Sequence, residues 1–406
     1  MSAKILTPAQ ATAYKNLNIR TYDTPDGLTG DRLLLCLDGG GIRGILTVQL
    51  LKKVEDIAGI PCHQLFDLVA GTSTGAIIAG LIAHGETAED IDSMYRSLVK
   101  NVFVKRDLIA DKALNPPQYD KANYRHDLLG IFANATMQQT CQTTNIDLMI
   151  LARDMTDNEE TFFCCFNNNG WQGTYKNALM RTILEATMSA PTYFSSLERF
   201  IDGGTTTYNN PSAAAMVEAL EFHGRDKYEQ DKITIFSFGT GKSVVSVTPG
   251  EAAKDKGVWN AFFWLNYVME TTSQDANSMQ RDLFRSRIFS HIDYRRYQVS
   301  LDPATMKRLP DRVLTPSSIT DADTIHGLTD ADLNGISLDD THKFDLMSDI
   351  GNAAVDYIML KNKFCDDLND TPAPSFNDEL SPEFNGVPDI ATNVSDPDWI
   401  DSQPSK

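Results

Sequence analysis

No uninterrupted run of about 18 apolar residues occurs in the 406-residue chain, so no segment reads as a membrane-spanning helix. The nearest approach, HQLFDLVAGTSTGAIIAGLIAHG at 63–85, is broken by Asp67 and by GTSTG in its middle. The opening MSAKILTPAQATAYKN has no apolar core of the secretory type, which predicts a cytoplasmic location. No two of the six cysteines form a C-x-x-C pair, so zinc and thiol-redox motifs find no support and no metal or cofactor is expected. Cys36, Cys62, Cys141, Cys164, Cys165 and Cys365 are expected to be reduced residues of the core. Basic charge is scarce as well. The 36 Lys and Arg against 55 Asp and Glu leave a net charge of -19, which excludes the cationic footprint of a nucleic-acid binder.

The acidity is concentrated at one end. From Asp366 to Lys406 there are ten Asp or Glu against one Lys, and six of the 17 prolines, so 366–406 reads as a disordered tail or a strap. Residues 1–31 read as a polar lead-in with one short helix near PAQATAYKNL. Residues 32–365 read as the main folded domain. Within it, apolar runs of strand length alternate with helical patterns. RLLLCL (32–37), QLFDLVAG (64–71), NIDLMILARDM, TFFCCFN, RFIDGG and KITIFSFGTG read as strands. ILTVQLLKKVEDIAG, TGAIIAGLIAHG, YKNALMRTILEATMSA and SDIGNAAVDYIMLKNKF read as helices. Such alternation predicts an α/β fold whose mostly parallel sheet is covered on both faces, with its sites at the carboxyl ends of strands.

Three stretches carry chemistry. GTSTG, Gly71 to Gly75, follows a strand and precedes a helix of small residues, the context of a nucleophile elbow with Ser73 at its apex. Its bland alternative is a serine capping a helix. DGGGIRG, Asp38 to Gly44, has four glycines in seven residues before another helix. Bare amides at a helix N-terminus suit the oxyanion of a tetrahedral intermediate, and side chains there would block approach. The same glycines, Gly39, Gly41 and Gly44, also fit a dinucleotide-binding G-x-G-x-x-G. However, Glu55 and Asp56, the acidic candidates, fall within the first helix and not at the end of a second strand. RFIDGGTTTYNNP places Asp202 at a strand end, where it is either a simple turn or a base for the serine proton. As a base it needs partial desolvation to raise its pKa.

DGGGIRG, GTSTG, SAPTYF, and DGG followed by NNP, in this order over roughly 32–350, resemble the patatin-like phospholipase family. The resemblance implies a patatin-like three-layer sandwich with a mostly parallel central sheet, related to α/β hydrolases. It implies a Ser–Asp dyad without histidine: Ser73 as nucleophile, Asp202 as base, and Gly39, Gly40 and Gly41 as the oxyanion loop. Arg43 is the motif's basic residue, ordering that loop or meeting a phosphate. The substrate implied is a membrane phospholipid or related acyl lipid, reached by peripheral association with the membrane. Some bacterial relatives are lipases switched on by cyclic nucleotides, so an activating cyclic nucleotide is the alternative, ligand-gated reading. Two departures bear on the acyl pocket: the DGG to NNP spacing is a residue longer than the commonest form, and Met188 stands where small residues are usual.

Other candidates weigh less. His223, His291, His326 and His342 follow Asp202 but lie outside glycine or strand-end contexts. Asp330, Asp332, Asn334 and Gly335 match half an EF-hand loop, whose twelfth position is Thr341 instead of Glu. The aromatic stripe VWNAFFWLNYVM (258–269) reads as core packing before it reads as an interfacial lid. The basic stretches between Arg96 and Arg125 and across RDLFRSRIFSHIDYRRY (281–297) read as solvated faces or sheet edges, with anionic headgroups as the alternative. Nothing in the residues sets an oligomeric state.

Overall fold

The computed structural model describes residues 4–105, 117–243, 261–333 and 336–365, with side chains from 271 onward in the third stretch. The acidic tail from 366, residues 258–260 and the side chains of 261–269 in the aromatic stripe, and Asn334 with Gly335 lie outside what is described. Strands β1 (Lys4–Ile5), β2 (Thr21–Thr24) and β3 (Gly27–Gly30) make a small antiparallel sheet in the order β1-β3-β2. The main sheet is built from β4 (Arg32–Leu37), β5 (Leu68–Thr72), β6 (Asp147–Asp154), β7 (Glu159–Asn167), β8 (Trp171–Gln172), β9 (Phe200–Asp202) and β10 (Ile233–Phe238). After a short strand β11 (Lys242–Ser243), β12 (Asp293–Tyr297) completes it, while β11 pairs with β13 (Ser300–Leu301).

The order is β12-β10-β4-β5-β6-β7-β8, parallel from β12 through β6. Beyond β6 the pairing turns antiparallel, to β7 on one edge and to β9 on the other. Only a four-residue turn, Met155–Asn158, separates β6 from β7, and a loop that short permits a hairpin but no parallel crossover.

Side chains alternate across the sheet with the period of two that strands impose. Leu33, Leu35, Leu37, Val69, Leu148 and Ile150 share one apolar layer with the helices Gly44–Ala58, Thr74–His84 and Phe344–Lys361. Leu34, Cys36, Leu68, Ala70, Met149 and Leu151 share the other with the helices Ser212–Glu221 and Ala261–Phe284. This is a three-layer α/β sandwich. Thr74–His84 is apolar on every side and buried from Thr74 to Ala83, as a central helix must be.

Several expected boundaries shift for local reasons. QLFDLVAG opens with a helical turn, Cys62–Leu65, and only Leu68 onward is strand. YKNALMRTILEATMSA is helical only over Met180–Thr187. Its first part is a turn, and the Lys176 and Ala178 carbonyls accept from the N–H groups of Gln138 and Met137, which open the helix Met137–Thr144. The lead-in is more than an appendage. Tyr14 and Leu17 are fully buried in the first apolar layer, and Lys4 binds Asp67 at 2.6 Å.

Asp67 ties the two segments together. It also meets Arg32 Nη1 at 3.0 Å and accepts from Leu33 N–H at 2.8 Å. Burial alone would raise its carboxyl, but Lys4, Arg32 and the Leu33 amide outweigh that and hold it below the ordinary carboxylate range. Asp67→Ala, which strands two cations and an amide, is expected to cost about 3 kcal/mol. The check is a lower midpoint of urea unfolding at unchanged slope.

Candidate active site

Strand β6 has different partners along one edge. Its residues Asp147 to Leu151 pair with β5, ending at the rung Leu151–Thr72, and the next rung is Ala152–Asp202 in β9. β7 occupies the opposite edge throughout, so β5 and β9 meet end to end beside β6. Ser73 follows the last residue of β5, and Asp202 is the last residue of β9. Ser73 Oγ donates to Asp202 Oδ2 at 2.6 Å. Two residues 129 apart in sequence are joined by the register of a third strand.

Ser73 sits at φ 52°, ψ -121°, a conformation that costs a non-glycine residue on the order of 1–3 kcal/mol. The surroundings impose it. Its N–H donates to Thr187 Oγ1 at 2.8 Å, and the Thr187 hydroxyl in turn donates to Leu151 C=O. The flanking glycines make the turn tight: a Cβ on Gly71 would overlap the Gly75 carbonyl, and one on Gly75 the Leu37 carbonyl. The Thr74–His84 helix starts at once, with Ala76 N–H bonded to Ser73 C=O at 2.9 Å.

Asp202 is 5% exposed and Ser73 7%. Asp202 Oδ1 accepts from Gly204 N–H at 2.7 Å, and Asp202 N–H donates to Ser189 C=O at 3.1 Å. Burial pushes the Asp202 carboxyl up to about 6, against the opposing bonds from Ser73 and Gly204. Near neutrality it is therefore an ionised acceptor whose affinity for a proton is above that of an ordinary carboxylate. Among the described residues no histidine bonds either member of the pair; His223 bonds Glu218 and His326 lies by Asp311. Met188 is buried, with Sδ 3.5 Å from Ser73 Oγ, so it does border the reacting hydroxyl.

The glycine loop lies against this pair. Gly39 N–H donates to Asn209 C=O at 3.3 Å, and Gly39 C=O accepts from Thr240 Oγ1 at 2.9 Å. Its amide is thus already engaged, whereas no described group accepts from the N–H of Gly40 or Gly41. The bareness of the loop has a second reason besides access. A Cβ on Gly40 would strike the Thr240 side chain, and one on Gly41, at φ 57°, the Leu338 carbonyl. The Tyr95 hydroxyl caps Gly41 C=O. Below the loop, Arg296 clamps Asp38 through Nη1–Oδ1 at 2.8 Å and Nη2–Oδ2 at 2.5 Å. Burial pushes the Asp38 carboxyl up and Arg296 opposes it, while Arg296, beside Asp38, holds its own proton above the ordinary range.

Arg43 is 4% exposed inside the fold, with its N–H on Gly40 C=O at 3.1 Å. It is thus a buried neighbour of the loop. Arg295 and Arg296 are likewise no solvated face: they are 1% and 7% exposed on the edge strand β12. Glu55 and Asp56 lie in the helix Gly44–Ala58, with Glu55 accepting from the amides of Cys62 and Ala88. Thr187, Tyr95, Thr240 and Arg296 carry no motif of their own. Thr187 lies just before SAPTYF, in the stretch read as the helix YKNALMRTILEATMSA, and Asn209 lies inside NNP, so sequence signals stood close to both.

A mostly parallel sheet between helix layers, with a serine at a sharp strand–helix turn bonded to a buried carboxylate, places the chain among α/β folds. The family model for patatin-like phospholipases matches residues 35–216 of this chain. The chain is similar to the 85/88 kDa calcium-independent phospholipase A2 of Rattus norvegicus, 30% identical over 247 residues, 56% of this chain and 29% of that one. It is also similar to a cUMP-AMP-activated phospholipase of Escherichia coli, 28% identical over 268 residues, 62% of this chain and 78% of that one. A cGAMP-activated phospholipase of Escherichia coli (strain TW11681) is 29% identical over 251 residues, 57% and 68%. The match covers less than a third of the rat protein.

Two outcomes test the geometry. In Ser73→Ala the bond that lowers Asp202 is gone, so Asp202 is expected to titrate above about 6, read by carboxyl-carbon NMR. Thr187→Val keeps the shape but leaves Ser73 N–H without its acceptor, with about 1–3 kcal/mol of stability lost in urea unfolding.

Proposed function

We propose that the protein is a lipid acyl hydrolase of phospholipase A or lysophospholipase type, acting on ester bonds of membrane phospholipids or related acyl lipids. The observation that carries this reading is the 2.6 Å bond from Ser73 Oγ to a buried Asp202 whose pKa is pushed up to about 6. Ser73 Oγ attacks the ester carbonyl as Asp202 Oδ2 takes its proton. The tetrahedral oxyanion is met by the amides of Gly40 and Gly41, with Gly39 bonded to Asn209 as their brace. Asp202 then protonates the departing alcohol, and a water activated by the same carboxylate releases the fatty acid from Ser73. Among the described residues no helix is long and apolar enough to cross a membrane, which suits an enzyme that meets its lipid by peripheral association.

The second reading is a gated enzyme, idle until a cyclic nucleotide binds. Its support is the pair of relatives named for activation by cUMP-AMP and cGAMP, of which 78% and 68% are covered. The two readings share the same chemistry and differ in whether purified protein hydrolyses phospholipid vesicles without an added nucleotide.

A fluorophosphonate probe is expected to add once to the parent protein and not to Ser73→Ala, by intact mass, with lipid and nucleotide added if the resting protein is silent. Absence of the adduct under all these conditions rejects the serine assignment. Asp202→Asn is expected to lower kcat roughly 10³-fold with the fold intact. The kcat/KM of the parent should rise through about pH 6 and level off above it, because the carboxylate must be ionised to accept the proton.

A further inference from the structure

We propose that Cys164, Glu218 and His223 form a binding site for one soft divalent metal ion, Zn²⁺ being the best match. Their ligand atoms all lie within 4.8 Å of one another, and among the described residues this is the group of three metal-ligating side chains so placed. Donor atoms around one tetrahedral zinc are about 3.5 Å apart, so the three need only small rotations. They come from separate elements: Cys164 from β7, Glu218 from the helix Ser212–Glu221, and His223 from just beyond it. No spacing motif exists for a sequence reading to find.

The donors are oriented before any ion arrives. Glu218 Oε1 accepts from the His223 ring and, at 3.2 Å, from the His223 amide. The His223 carbonyl is held by Asn168 Nδ2 at 3.1 Å, and its ring stacks on Phe166 with centroids 6.2 Å apart. A metal ion replaces the Cys164 thiol proton, which leaves to solvent, and the imidazole proton moves from Nδ1 to Nε2. Thiolate, carboxylate and neutral imidazole around a dication sum to zero charge, which a buried site tolerates far better than a lone carboxylate. Thiolate with imidazole selects zinc over magnesium or calcium.

An entry path exists. The His223 side chain is 31% exposed, and all three donors line a cavity of about 550 Å³ whose walls include Phe162, Tyr208 and Phe222. With three protein ligands, the fourth position is left to water or to a small donor molecule from that cavity.

The test uses the full chain, stripped with chelator and titrated with Co²⁺, then Zn²⁺. One Co²⁺ per chain is expected, giving a thiolate-to-cobalt charge-transfer band that Zn²⁺ bleaches. Cys164→Ser should abolish the band, and half-exposed His223→Gln should weaken binding roughly 10-fold or more. Cys165→Ser, altering the neighbouring cysteine on the opposite face of β7, should leave the band in place. Zn²⁺ should raise Tm in the parent and not in Cys164→Ser. A folded parent without the band, or a band that survives Cys164→Ser, overturns the site.

Discussion

The site depends on consecutive rungs of β6. Leu151 pairs with the end of β5 and Ala152 with the end of β9, so two strands running in opposite directions stop against each other at one place. Backbone hydrogen bonds set this register, and side chains then inherit it. Thr187 reinforces it by joining the Ser73 amide to the Leu151 carbonyl, and the Ser189 carbonyl holds the Asp202 amide. A slip of one residue in either pairing would turn Asp202 or Ser73 to the other face of the sheet.

Burial raises the proton affinity of that pair and also makes it costly. A carboxylate shielded from water keeps an affinity for protons that an exposed one loses, and only two donors, Ser73 and Gly204, temper it. The fold surrounds this poorly solvated pair with better-satisfied charges. Asp38 is clamped by Arg296 beneath the glycine loop, and Lys121 joins Glu185 to Ser189 behind Asp202. These buried pairs are weak evidence of net stability, yet losing one partner would leave the other stranded. We read them as fixing where the loop and the carboxylate sit.

Strands such as RLLLCL and KITIFSFGTG were legible because a run buried on both faces is mostly apolar; RLLLCL matches β4, and β10 takes Ile233–Phe238 of the second. The helix Thr74–His84 was legible for the same reason. The antiparallel turn of TFFCCFN against β6 was not read, although its short loop permitted nothing else. Lys176 to Leu179 misled because their helical pattern is overridden by carbonyls serving another helix. Arg295 and Arg296 do lie on a sheet edge, strand β12, one of the two readings of that stretch, but they are buried there and not solvated. Arginine is ordinarily a surface residue, and only a partner placed by the fold, Asp38 for Arg296 and Asp293 for Arg295, makes it interior.

The sequence by itself determined the alternation of strands and helices, the tight turn at Ser73 and the bare loop at Gly39–Gly41, since each is a local demand on residue size and polarity. Tertiary structure alone decided that Ser73 lies 2.6 Å from Asp202, that among the described residues the Gly39 amide has an acceptor while those of Gly40 and Gly41 have none, and that Cys164 meets Glu218 and His223. Distance between residues remote in sequence is set by strand register and by which layer each side chain enters. Neither is encoded in any short stretch of the chain.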